Sequence, residues 1–227
     1  MRLVQEDVLA SWEEVYASGS DKSYPSLELV RLERWFFGHC GNGTVLEYAC
    51  GSGVNTLHLL NCGYDVVALD AAQGAIDLVT KKASGLEAEK QARLQLCLVG
   101  EQDEALKFED SSFDYIVAMS ILSLLGSENR IRHLLKEFSR VLRPGGKIIL
   151  DLNDHASEFS ADQIQIEPNV FAFEAGARKV NCFCLRSLQE FSDLIGDYFD
   201  VVDAGYSSHC LFGRRINEWI VSARKIE

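Results

Sequence analysis

Long apolar runs are missing from this chain of 227 residues. No stretch approaches the ~18 consecutive apolar residues of a membrane-spanning helix, so a membrane protein of that kind is not expected. Basic clusters are missing too. Lysine and arginine occur at most as adjacent pairs, Lys81-Lys82, Arg178-Lys179, Arg214-Arg215 and Arg224-Lys225, within a net charge of −12. Phosphate backbones need a basic face, so nucleic acid is not an expected partner. The seven cysteines include no Cys-x-x-Cys pair. No metal site is expected from them, and an odd number without a secretory leader reads as reduced thiols. Met1-Arg2-Leu3-Val4-Gln5-Glu6-Asp7 turns acidic where a signal peptide needs its apolar stretch, so the protein is expected in the cytoplasm.

What is present is a regular alternation of apolar runs and helical patterns, with 47% apolar residues to fill a core. Strands are expected at Thr44–Tyr48, Asp65–Leu69, Leu94–Val99, Tyr115–Met119 and Lys147–Leu152. Helices are expected at Thr56–Asn61, Ala71–Ala83 and Asn129–Leu142. In the last of these, Ile131, Leu134, Leu135, Phe138, Val141 and Leu142 form one stripe, and Arg143-Pro144-Gly145-Gly146 stops it. Ser187 and Glu190 have capping-box spacing for a further helix to Ile195. Tyr198–Asp203 and Trp219–Ala223 are strand-like with no helix between them, so they should pair antiparallel. The expected fold is α/β: a doubly wound, mostly parallel seven-stranded sheet with a reversed last strand and helices on both faces. A single domain over 1–227 is expected. Within it, 1–37 form a helical cap, broken near Tyr24-Pro25 with Ser26 capping its second helix, and 153–186 form a cover over the site.

The most telling segment is Val45-Leu46-Glu47-Tyr48-Ala49-Cys50-Gly51-Ser52-Gly53, a glycine turn directly after an apolar strand. Asp70 ends the next strand, about 20 residues on, the spacing of an acid that grips a ribose. Two nucleoside classes use such a turn. A dinucleotide sets its pyrophosphate on the helix and wants a third glycine, where this chain has Thr56. S-adenosylmethionine brings no phosphate but a positive charge, which Glu47 suits better.

Taken with Ser111-Ser112-Phe113-Asp114-Tyr115-Ile116-Val117 and Phe138-Ser139-Arg140-Val141-Leu142-Arg143-Pro144-Gly145-Gly146, these segments make the chain resemble the class I S-adenosylmethionine-dependent methyltransferases, over residues 44–152. The resemblance implies that Glu47, Gly51 and Gly53 line the methionine part of the cofactor, with Ala49 opening the turn where many relatives carry glycine. It implies that Asp70, with Ala71 beside it, takes both ribose hydroxyls. It places Glu101 and Gln102 near the adenine, and Met119 and Ser120 near the methionine. Leu124 and Leu125 stand where some small-molecule methyltransferases carry histidine, so no base is expected there. Two further residues are candidates for the chemistry. His155 follows the fifth strand, where open sheets place ligands, and Tyr16 belongs to the N-terminal aromatics that fold over the cofactor in this family. The expected reaction is methyl transfer to a nitrogen or oxygen of a small molecule. The alternatives are a nicotinamide-dependent oxidoreductase and a non-catalytic S-adenosylmethionine-binding module.

Overall fold

The computed structural model describes residues 5–39, 41–100, 105–175, 178–211 and 214–226. Strands β1 (Thr44–Tyr48), β2 (Asp65–Asp70), β3 (Leu94–Leu98), β4 (Phe113–Ala118) and β5 (Leu142–Asn153) are parallel; β9 (Phe199–Leu211) and β10 (Arg214–Lys225) complete the sheet. A separate small sheet is made by β6 (Ile164–Glu167), β7 (Val170–Ala175) and β8 (Arg178–Phe183). The helices are α1 (Gln5–Ala17), α2 (Leu27–Leu32), α3 (Val54–Asn61), α4 (Gln73–Ala83), α5 (Ala88–Ala92), α6 (Glu128–Val141) and α7 (Leu188–Ile195).

The seven-stranded sheet runs in the order β3-β2-β1-β4-β5-β10-β9, with β10 antiparallel to both neighbours. Successive side chains of a strand point to opposite faces, and each strand feeds two cores. Leu46, Leu69, Ile116, Ile148 and Leu150 meet α6 and α7 on one face. Val45, Val66, Ala68, Val117 and Ile149 meet Leu29 of α2, Leu59 and Leu60 of α3 and Val79 of α4 on the other. That two-sided burial is why the central strands read as continuous apolar runs.

The expected elements are found, with shifted boundaries. Ser26 caps α2, its hydroxyl accepting from Leu29 N at 3.3 Å, and the Ser187 hydroxyl accepts from Glu190 N at 3.2 Å. Helix α6 ends at Val141, and Leu142 already pairs with Phe113. Residues Arg143–Gly146 form a bulge within β5 rather than a turn before it: pairing resumes only at Tyr115 with Lys147, and Gly145 takes φ +69°. The terminal hairpin is longer than expected, pairing from Leu211 with Arg214 to Phe199 with Lys225.

Residues 153–186 contain the small antiparallel sheet, which the sequence reading did not resolve. Its first hairpin turns on Pro168-Asn169, with Asn169 at φ +61°. Phe171, Phe173, Val180, Cys182 and Cys184 form a third core, against which Val8 of α1, Leu124 and Phe159 pack. Cys182 and Cys184 thus share one buried face. Helix α1 packs on both β8 and α4. Among the described residues, no helix is long and apolar enough to cross a membrane.

Candidate cofactor and acceptor site

A cavity of about 1800 Å³ opens at the C-terminal ends of β1, β2, β4 and β5. This is the edge where strand order reverses and where open α/β sheets bind ligands. Ala49, Cys50 and Gly51 form its floor, and α1 and residues of the small sheet reach its opposite wall.

The floor has a strained, tightly tied backbone. Ala49 sits at φ +61° and Gly51 at φ +54°. Alanine in that region costs about 1–2 kcal/mol, which the surrounding packing must offset. Cys50 N donates to Leu69 O at 2.9 Å, and Gly51 N donates to Asp70 Oδ2 at 2.8 Å. Asp70 Oδ1 accepts from Ala72 N at 3.0 Å. Strand tip and glycine turn are therefore locked to each other. Asp70 remains 8% exposed and lines the cavity with Ala71; burial raises its carboxyl, and the backbone donors pull the other way.

The two glycines differ. A Cβ on Gly51 would point toward Tyr16 Oη at 3.1 Å, across the ligand space. A Cβ on Gly53 would lie 2.6 Å from Val79 Cγ2 of α4. Gly53 lies between the lining residues Ser52 and Val54, and its missing side chain leaves room for α4 to pack. Thr56 occupies the place of a third dinucleotide glycine, and its buried hydroxyl donates to Glu47 Oε2.

Glu47 lies behind the turn, 2% exposed and outside the cavity lining. From there, tied to Thr56, it supports the floor. Burial pushes its carboxyl up to about 8; the Thr56 hydroxyl opposes this and the Asp70 charge adds to it. The native state therefore holds a proton that the unfolded chain releases near 4.5. This contribution to stability is complete below 4.5 and is lost as pH rises to about 8. Denaturant unfolding of the ligand-free protein should show a decline on the order of 4 kcal/mol across that window. Glu47→Gln should make the decline shallower by that share, and an equal slope in both proteins would contradict the assignment.

Tyr16 lines the cavity, and burial first, then the charge of Asp70, raises its hydroxyl. Its position is set by Glu13 one turn earlier. The two Glu13 oxygens accept from Gln73 N at 2.6 Å and Gly74 N at 3.0 Å, capping the start of α4 with a carboxylate from α1. Gly74 leaves room for this docking, since a Cβ there would lie 2.9 Å from Tyr16 Cβ. Glu13→Ala should lower stability by about 1 kcal/mol and weaken S-adenosylhomocysteine binding about tenfold by releasing Tyr16. Thermal melts and titration calorimetry check the two effects; unchanged affinity would show that α1 contributes nothing to the bound state.

Met119 and Ser120 line the cavity after β4, with Ser120 at φ +60° and its N–H donating to Asp151 Oδ1 at 2.6 Å. Leu124 and Leu125 line it without adding a base. His155 is not brought to the cavity. Its Nε2 lies 3.0 Å from Asn169 Oδ1, and its ring stacks edge-on against Phe171 at 5.0 Å. The chain after β5 turns it into the small sheet, away from the expected ligand. Glu101 and Gln102 lie outside the described residues; their neighbour Gly100 lines the cavity. The sequence reading missed two lining residues of consequence, Asp151 and Glu218, and weighed Asn153 only as a companion of His155. A charged residue inside the apolar run Ile148–Leu152 was the available signal.

A floor of bare backbone with a carboxylate at the neighbouring strand tip suits a cationic nucleoside better than a pyrophosphate. The comparisons agree. Residues 45–146 match the methyltransferase-domain family model. A cypemycin N-terminal methyltransferase from a Streptomyces species is 33% identical over 128 residues, 55% of this chain and 49% of that protein, so the chain spans about half the length of this curated relative. A Methanosarcina mazei S-adenosylmethionine-dependent methyltransferase structure aligns with TM-score 0.68 at 23% identity, covering 82% of this chain and 93% of that one. A Burkholderia thailandensis 1,6-didemethyltoxoflavin-N1-methyltransferase, bound to S-adenosylhomocysteine, aligns with TM-score 0.68 at 16% identity over 100% of this chain and 92% of that one. At these identities the structures establish the fold. The family match over residues 45–146, the strand order and the Gly51–Asp70 floor together support a class I S-adenosylmethionine-dependent methyltransferase that uses S-adenosylmethionine.

Proposed function

We propose that the protein transfers the S-adenosylmethionine methyl group to a nitrogen or oxygen of a small molecule. The observation that carries this reading is the tie between Gly51 N and Asp70 at the floor of a large, roofed cavity. The bound cofactor supplies an electrophilic methyl carbon on a sulfonium. The protein supplies alignment and exclusion of water. Asp70 and Ala71 hold the ribose, and the backbone of Ala49–Gly51 leaves room for the methionine part, with Met119 and Ser120 beside it. Tyr16, carried by α1, closes the site from above. The N-terminal helices and the sheet β6–β8 act as its cover, supported by their shared core of Phe171, Phe173, Val180 and Val8. A net charge of −12 supports a small acceptor over nucleic acid.

Incubation with methyl-labelled cofactor and a metabolite library tests the reading. Label should appear in a small-molecule fraction. Label confined to protein or nucleic acid would overturn it, and cofactor binding without turnover on any acceptor would favour the non-catalytic module.

A further inference from the structure

Resting on the methyltransferase reading, we infer that the acceptor carries an amine, which Asp151 binds and deprotonates with Asn153 and Glu218 beside it. Strand register sets these three together. Asn153 pairs with Glu218, and Asp151 with Ile220, across β5 and β10. Directly opposed residues of an antiparallel pair share a sheet face, and all three residues line the cavity.

Asp151 is 3% exposed, and a buried carboxylate is costly unless partnered. Its Oδ1 is satisfied by Ser120 N, but Oδ2 has no hydrogen-bond partner in the described structure, nor has Asn153 Oδ1. The groups facing Asp151 are Glu218 of β10, Glu28 of α2 and Lys22; Glu218 also faces His209 of β9. Glu28 is occupied, accepting the Ser26 hydroxyl at 3.0 Å and the Ser207 hydroxyl at 3.1 Å. Arg214 at the rim is held by Glu158, Nε to Oε1 at 3.0 Å. The wall therefore presents free acceptors and a surplus of negative charge. An ammonium offers several N–H donors and the matching charge. A hydroxyl offers one donor, and a carboxylate is repelled. Phe159, Phe173, Val180 and Leu124 line the cavity nearby and fit an apolar or aromatic body on the amine.

The Ser120 link also places Asp151 next to the loop expected to hold the methionine part. The chemistry balances. The ammonium gives a proton to Asp151 Oδ2, and the freed nitrogen lone pair attacks the methyl carbon. The carbon–sulfur bond breaks with its electron pair left on sulfur. An N-methylammonium and S-adenosylhomocysteine form, and Asp151 returns its proton to solvent. Burial and the Glu218 charge hold the Asp151 carboxyl well above the usual range, which suits a base that must take a proton from an ammonium.

Matched aryl-alkyl amines, alcohols and carboxylates, titrated calorimetrically against the protein saturated with S-adenosylhomocysteine, test this. Amines should bind about tenfold more tightly than their matched alcohols, one charge-assisted hydrogen bond's worth. Asp151→Asn and Glu218→Gln should each erase that preference while leaving S-adenosylhomocysteine affinity unchanged. Asp151→Asn should also remove the acidic limb of the kcat/KM profile for amine methylation. Equal or tighter binding of alcohols or carboxylates would overturn the inference alone. So would an Asp151→Asn protein that loses S-adenosylhomocysteine instead, because the acid would then serve the cofactor's own amino group. A wild-type protein that does not bind S-adenosylhomocysteine would remove the methyltransferase reading and this inference with it.

Discussion

Asp70→Asn is expected to weaken S-adenosylhomocysteine binding about 100-fold, close to 3 kcal/mol. Two charge-assisted hydrogen bonds to ribose hydroxyls, at about 1.5–3 kcal/mol each, account for a loss of that size. The substitution also disturbs the floor. Both Asp70 oxygens accept backbone N–H groups, from Gly51 and from Ala72. An amide nitrogen must therefore face one of those donors, at a cost of about 1–3 kcal/mol of stability. Most domains survive a change of that size. A folded Asp70→Asn protein with near-normal affinity would show that the ribose lies elsewhere. Asp70→Glu keeps the charge but shifts it by a methylene and should recover only part of the loss.

Gly51→Val and Gly53→Val should fail in different ways. At Gly51 the φ of +54° disfavours a branched side chain, and the new Cβ projects toward Tyr16 Oη, into the space the cofactor's methionine part is proposed to cross. Cofactor binding should fall below detection, more than about 100-fold, with a stability loss of about 1–2 kcal/mol from the backbone. At Gly53 the new Cβ meets Val79 at 2.6 Å, and its φ is +77°. Overpacking and backbone strain together should cost about 3 kcal/mol or more of stability. Thermal melts beside calorimetry separate the outcomes. If both variants lost binding and stability in equal measure, the division of labour between the two glycines would be wrong.

The central sheet was legible because its strands are buried on both faces. Runs such as Asp65–Asp70 are apolar almost throughout, and glycine or proline marks their ends. That the sheet is mostly parallel and closes in an antiparallel hairpin followed from which connections contain a helix. The small sheet β6–β8 was harder. Its strands are short and its partner core comes from α1 and the turn after β4, so nothing local announces it beyond the Pro168-Asn169 turn. The floor residues Gly51 and Asp70 were visible as a spacing. Gly53 was visible as a glycine, but its reason, contact with Val79, is a tertiary fact. Glu13 gave no sign, because its partners Gln73 and Gly74 stand 60 and 61 positions away. His155 shows the limit of the strand-end rule. The rule places a residue's backbone near the ligand edge but does not say which way the chain then turns.

Titration calorimetry of the wild-type protein with S-adenosylhomocysteine, and separately with a nicotinamide dinucleotide, tests the central claim most directly. A single saturable site for the first ligand, sensitive to Asp70→Asn, and no heat from the second is the expected result. A silent first titration, or a saturable second one, would contradict it.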